Sequence, residues 1–144
     1  PTKTKEVVTM GCIINSYQLA TTHEIYRLLV FLNKSTGNEI SLNKMLSEAL
    51  LKIKPSRRTM QIKKSLLSVL EKIPVGSTIK DIDVLFNPEY KIDVLRILID
   101  ANKKHPFKLL WSGTYKDGCL IYSEEGLSDY KTYEINDYDI VCVV

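Results

Sequence analysis

Eight basic side chains (Lys44, Lys52, Lys54, Arg57, Arg58, Lys63, Lys64 and Lys72) fall between Ser41 and Lys72, against two acidic ones, Glu48 and Glu71. From Tyr115 onward the balance reverses, with Lys116 and Lys131 facing seven carboxylates: Asp117, Glu124, Glu125, Asp129, Glu134, Asp137 and Asp139. A net charge of +3 therefore conceals two opposite local fields. A concentrated basic stretch attracts polyanions whatever the average charge. The chemistry open to these residues is recognition. Arg bonds guanine bidentately, Gln bonds adenine in the same way, and Lys or Ser holds backbone phosphates. Arg57, Arg58, Gln61 and Lys64 are accordingly the candidate base readers. Lys44, Lys52, Lys54 and Lys63 are the candidates for electrostatic docking, and Ser56 lies among them as a backbone contact.

These residues need helices to present them. Ser41 can cap a helix whose apolar positions Leu42, Met45, Leu46, Ala49, Leu50 and Ile53 share one face. Pro55 cannot continue that helix without losing a hydrogen bond and clashing with the preceding turn. Ser56 then caps a further helix reaching Ile73, which buries Met60, Leu66, Leu67, Leu70 and Ile73. Arg57, Arg58, Gln61, Lys64 and Ser68 fall on its other side, and Pro74 and Gly76 close it. Upstream, Glu6 to Ile14 reads as a short strand or extended arm. Thr21 and Glu24 stand at capping-box spacing before Ile25, Leu28, Leu29 and Leu32, which predicts a helix over 22–34. Downstream, Thr78 to Phe86 is ambiguous between helix and strand, and Tyr90 to Lys104 is helical with Ile92, Leu95, Leu98 and Ile99 inward. Lys103 and Lys104 complement that helix's C-terminal dipole. Beyond His105-Pro106 the texture is that of strands. A hairpin is expected at Asp117-Gly118, and Tyr130–Ile135 and Tyr138–Val144 are expected to form a second strand pair joined at Asn136-Asp137.

The two helices around Pro55, preceded by the helix expected over 22–34, resemble the winged helix–turn–helix superfamily over residues 20–75. The resemblance implies a recognition helix entering the DNA major groove and a β-hairpin wing, a part that the Asp117-Gly118 hairpin could play. The chain departs from that pattern in one respect. A wing normally follows the recognition helix directly, whereas Ser77–Lys104 intervenes here. The hairpin then serves either a second, divergent helix–turn–helix built from Thr78 to Lys104, with Lys103, Lys104 and Lys108 near DNA, or a separate dimerisation or effector sheet.

The remaining chemistry-bearing residues point elsewhere. Trp111, Tyr115, Tyr122, Tyr130, Tyr133 and Tyr138 could stack on single-stranded bases, but they lie in an acidic segment and suit half-buried strands. His23 and His105 stand apart from any nucleophile at catalytic spacing, and no Walker, GxGxxG, HExxH or GxSxG motif occurs, so no enzyme is expected. Cys12, Cys119 and Cys142 are odd in number and form no CxxC, which favours reduced thiols and no zinc. The acidic residues lack the spacing of a calcium loop, so neither a metal nor a cofactor is expected.

At 144 residues, 44% hydrophobic and 26% charged, the chain suits one ordered domain spanning 1–144, divisible into 15–76 and 77–144. The expected fold class is α+β: an N-terminal helical part containing a helix–turn–helix, and a C-terminal antiparallel sheet or wing. The absence of a long apolar run or signal-peptide core leads to the expectation of a cytoplasmic protein without a membrane partner. The expected function is sequence-selective binding of double-stranded DNA, in regulation of transcription, replication or DNA transfer. A homodimer is expected because one short recognition helix reads few base pairs. The rival is a protein-interaction module, an inhibitor or adaptor that offers oppositely charged faces to a protein partner.

Overall fold

Leu28–Phe31 (β2) and Ile140–Val143 (β9) are short aliphatic runs buried along nearly their whole length, the pattern of central strands in a sheet covered on both sides. A computed structural model describes residues 11–15, 27–32 and 37–144. Four further strands join this pair: β1 (Cys12–Ile14), β3 (Ile40–Ser41), β4 (Thr78–Lys80) and β5 (Lys108–Leu110). Their order across the sheet is β1-β9-β2-β5-β4-β3, and every neighbouring pair is parallel. Register sets Ile40, Ile79, Leu109, Val30, Cys142 and Ile13 side by side in one row across all six strands. The central four of that row have no exposed surface. Full burial of each such aliphatic side chain is worth about 1.5–3 kcal/mol.

Parallel neighbours cannot be joined by a tight turn and need a crossover. The β3–β4 crossover consists of α1 (Asn43–Leu51) and α2 (Arg58–Leu70), and the β4–β5 crossover contains α3 (Val94–Lys104). Both steps run the same way along the sheet, so right-handed crossovers place all three helices on one face. In agreement, α1 packs on α2, α2 on α3 and α3 on β2. Leu46 and Leu50 of α1, Ile62, Leu66, Val69 and Leu70 of α2, and Leu95 and Leu98 of α3 close the core over the aliphatic row. The Asp93 side chain caps α3 by accepting from the Arg96 amide, and Lys103 and Lys104 occupy its last turn.

A second, antiparallel sheet interrupts the passage from β5 to β9. It comprises β6 (Thr114–Lys116), β7 (Cys119–Tyr122) and β8 (Lys131–Glu134), paired in that order. Asp117 and Gly118 join β6 to β7 with positive φ of 52° and 77°, the conformation of a tight two-residue hairpin. An aromatic cluster fastens this sheet to the larger one. Phe86 and Tyr122 stack with centroids 3.7 Å apart, and Trp111 meets Phe86 and Tyr133 edge-on. Trp111 Nε1 donates to the carbonyl oxygens of Thr114 and Ile121. The Tyr122 hydroxyl donates to Asp83 and that of Tyr138 to Asp93, with Arg96 over the Tyr138 ring. Tyr133 Oη is buried without a hydrogen-bond partner among the described residues.

Helices and strands are mixed as the sequence suggests, but the strand arrangement differs from the expectation. Leu28–Phe31 is a strand, not part of a helix over 22–34; Leu28, Leu29 and Leu32 fit a helical face and a doubly buried strand equally well. The proposed cap Thr21 and its partner Glu24 lie outside the described residues. The Tyr130–Ile135 and Tyr138–Val144 segments do not pair with each other, because a 3-10 turn at Ile135–Asp137 sends β9 into the parallel sheet. Thr78–Phe86 is strand first and 3-10 turn afterwards. Met60 is 79% exposed instead of buried, because the inward stripe of α2 runs through Ile62, Leu66 and Val69.

Gly113 marks how tightly the chain entering β6 meets β7. A Cβ there would stand 1.9 Å from the Ile121 carbonyl oxygen. Gly113→Ala is expected to cost about 1–3 kcal/mol through overpacking, whereas Gly37→Ala, with open space around it but positive φ, costs only backbone strain. Urea denaturation of the two variants measures the difference.

Candidate nucleic-acid interface

The basic cluster occupies the two helices that form the β3–β4 crossover. Pro55 does separate them: α1 ends at Leu51, a 3-10 turn spans Pro55–Arg57, and α2 begins at Arg58. Neither expected serine cap is formed. Ser41 is the last residue of β3, and no side-chain cap bond starts either helix. The entry to α1 is held instead by the Leu42 amide, which donates to Lys80 O, and by Asn43 Oδ1, which accepts from the Val84 amide. In the turn, the Arg57 amide donates to Lys54 O.

Arg58 performs the work expected of a cap, at the other end. Its Nε donates to the carbonyl oxygens of Leu50 and Ile53 at 2.9 and 3.0 Å, adding a side-chain donor to Leu50 O, which also accepts from the Ile53 amide, and to Ile53 O just past the end of α1. Arg58 is half-buried, and its guanidinium locks the angle between α1 and α2. It therefore has a structural task, and it is less exposed than the sequence led one to expect. Arg57, its neighbour, is exposed and makes no side-chain bond among the described residues.

Between the locked helices runs a groove of about 390 Å³. Met45 and Ala49 of α1 and Ile53 just beyond it contribute its apolar lining. Lys52 at the end of α1, Lys64 of α2 and Lys72 just past α2 stand along it, with Glu48 the single carboxylate among the described residues. Gln61, Ser65 and Ser68 supply neutral hydrogen-bonding groups from α2. None of these three lysines pairs with a carboxylate among the described residues. Side chains at 61, 64, 65, 68 and 72 recur at three- and four-residue intervals, so α2 presents them as one stripe.

The other sequence candidates distribute unevenly around this groove. Lys44, Lys54, Ser56 and Arg57 are exposed on the adjoining surface but do not line it. Lys63 faces the opposite way, toward α3, where its Nζ lies 3.3 Å from Asp100 Oδ2. There it borders a separate groove of about 240 Å³ with Lys103 and Lys104. Sequence reasoning left Lys72 and Ser65 out of the site. Lys72 was detectable as the i+4 and i+8 companion of Ser68 and Lys64, whereas Ser65 is buried among apolar neighbours and only packing reveals it.

The rest of the molecule offers less to a ligand. In open parallel sheets ligands collect at the carboxyl ends of strands. Here Trp111 directly follows β5, and the Phe86–Tyr122 stack joins it there. Burial, followed by the Asp83 carboxylate, holds the Tyr122 hydroxyl protonated far above its usual range, and burial with Asp93 does the same for Tyr138. Burial, followed by Asp93 and Tyr138, raises Tyr133 in the same direction, partly offset by the Val94 backbone. The Cys142 thiol is pushed up to about 12 by burial and then by Cys12, so it carries no thiolate at neutral pH. Cys12 and Cys142 occupy adjacent strands, but Cys12 pairs with Val141 and Cys142 with Ile13, which points the two thiols to opposite faces. Among the described residues no group of three or more His, Cys, Asp or Glu side chains could hold a metal, and no helix is long and apolar enough to cross a membrane.

The two neighbouring arginines differ in a measurable way. Arg58→Ala is expected to cost about 1.5–3 kcal/mol, the range for hydrogen bonds to a charged group. Arg57→Ala should stay within about 0.5 kcal/mol of the parent, as a surface change. Equal effects on urea midpoints would remove the capping role of Arg58.

No protein-family model, curated protein or solved structure matches the chain.

Proposed function

We propose that the chain binds double-stranded DNA through the basic face shared by α1 and α2. The observation that carries this reading is the groove bordered by Lys52, Lys64 and Lys72, whose ammonium groups have no carboxylate partner among the described residues. Lysines grouped on a rigid frame neutralise phosphates at little ordering cost and release condensed counterions, the main source of affinity for duplex DNA. Gln61, Ser65 and Ser68 lie between them, where neutral donors and acceptors can meet sugar, phosphate or base edges. Arg57 and Lys54, exposed on the turn before α2, extend the positive surface.

In this reading α1, the Pro55 turn and α2 act as the helix–turn–helix, and selectivity comes from Arg57, Gln61 and Lys64. Arg58 serves first to brace the turn, since its Nε is engaged on α1. The wing is the weakest part of the winged-helix resemblance. The Asp117-Gly118 hairpin belongs to the three-stranded sheet inserted after β5, and the segment before α1 contributes strands β2 and β3. Charge and helix geometry support DNA binding; the parallel sheet is the frame that displays them. A second copy of the chain would double the number of phosphates contacted, and regulation of transcription, replication or transfer is the setting such a reader suits.

A protein partner is the second reading. It draws on Leu51 and Met60, which are 70% and 79% exposed at the end of α1 and the start of α2, since exposed apolar side chains rimmed by charge suit an acidic amphipathic segment.

Salt-dependent binding to duplex oligonucleotides separates the two. Replacing Lys52, Lys64 and Lys72 by Gln should weaken binding to all sequences and shallow the plot of log K against log salt by roughly 0.9 for each phosphate no longer neutralised. Arg57→Ala or Gln61→Ala should instead relax discrimination by about 1–3 kcal/mol at individual positions of a site selected from random duplexes. Unchanged affinity and slope in the triple variant would exclude this groove as the DNA surface.

A further inference from the structure

Two surfaces on opposite sides of the charge divide are opposite in sign, and each carries an apolar centre. The first is the groove between α2 and α3. Leu67, Ile97 and Ala101 form its apolar floor, and Lys63, Lys103 and Lys104 stand at its rim with Asp100. The Lys63–Asp100 contact is exposed, with side chains 63% and 43% accessible, and exposed pairs of this kind are easily exchanged for others. Three ammonium groups against one carboxylate leave the rim positive.

The second surface is the turn that joins β7 to β8. Glu124, Glu125 and Asp129 surround Leu127, an apolar side chain that is 55% exposed. The turn is internally braced. The Leu127 amide donates to Glu124 O, the Tyr130 amide donates to Leu127 O, and Ser123 Oγ donates to Asp129 Oδ1 at 2.6 Å. A braced turn loses little freedom on docking. Glu124 and Glu125 have no ion-pair partner among the described residues, and neither do Lys103 and Lys104.

We propose that the acidic turn of one copy of this chain docks into the α2/α3 groove of another, with Leu127 on the apolar floor and its flanking carboxylates against Lys63, Lys103 and Lys104. The groove volume of about 240 Å³ suffices, since a cavity of about 150 Å³ already holds a benzene molecule. A second copy is the occupant argued for because one chain carries both members of the pair, so each molecule supplies a ligand and a receptor. The contact is heterologous: one patch meets a different patch. Two copies close on each other when both turns dock reciprocally, and longer assemblies form when they do not. A contact of this size is weak and reversible. It stands independently of DNA binding, because the α2/α3 groove shares none of its lining with the groove between α1 and α2.

The test is sedimentation velocity on the full chain without nucleic acid, over a concentration series at about 50 mM and about 500 mM salt. The weight-average sedimentation coefficient should rise with concentration at low salt and stay flat at high salt, where screening shortens the Debye length. Leu127→Ser should weaken association about tenfold or more, as expected for losing one buried aliphatic side chain. Glu124→Lys with Glu125→Lys, and separately Lys103→Glu with Lys104→Glu, should each be monomeric. An equimolar mixture of those two variants should associate again, because one native and one charge-exchanged contact are then available. If reversal at the end of α3 unfolds the chain by circular dichroism, the Leu127 and Glu124/Glu125 variants decide alone. A chain that stays monomeric throughout at low salt, or association that survives both of those changes, overturns the proposal.

Discussion

The centre of this molecule is a pair of parallel strands, β2 and β9, that bury side chains on both faces. Parallel pairing leaves no tight turn between neighbours, so each step along the sheet must be made by a crossover. Two such steps in the same direction, from β3 to β4 and from β4 to β5, gather α1, α2 and α3 into one layer over Ile79, Leu109 and Val30. Both basic grooves inherit their position from that constraint. The basic residues lie on the outer surface of the crossover layer, because its inner surface is committed to the aliphatic row.

Within that layer, Arg58 decides how the charges are grouped. Its two bonds to Leu50 O and Ile53 O hold the end of α1 against the start of α2. With the angle so fixed, Lys52 faces the stripe bearing Lys64 and Lys72 across an open groove. Lys63, one residue from Lys64, turns through a helical step to the α3 side and joins Lys103 and Lys104. A single run of basic residues thereby becomes two surfaces, each with its own apolar lining. The smaller sheet provides the acidic counterpart. Its aromatic cluster with Phe86 and Trp111 anchors it rigidly enough for the Leu127 turn to be presented as a shaped surface.

Much of the local structure was legible because it follows from near-neighbour chemistry. The Pro55 break, the helical face of α1, the Asp117-Gly118 hairpin and the basic end of α3 each rest on residues a few positions apart. The failures share a different cause. Leu28–Phe31 as a helix and Tyr138–Val144 as a partner of Tyr130–Ile135 both depended on what a segment meets far along the chain. A run such as Ile-Val-Cys-Val announces burial on both sides but cannot name its neighbours, since the period of a strand is the same in parallel and antiparallel ladders.

By itself the sequence determined the opposite charges of the two halves, the helical stripe through Gln61, Lys64 and Ser68, and the places where the chain must turn. These are properties of composition and of near-neighbour periodicity, which in these segments the packing respects. Only the tertiary structure decided that the strands form a parallel sheet, that Arg58 bonds backbone carbonyls, and that Lys63 leaves the company of Lys64 for that of Lys103 and Lys104. Those outcomes depend on which surfaces exclude water from one another, and that is a property of pairs of segments remote in sequence.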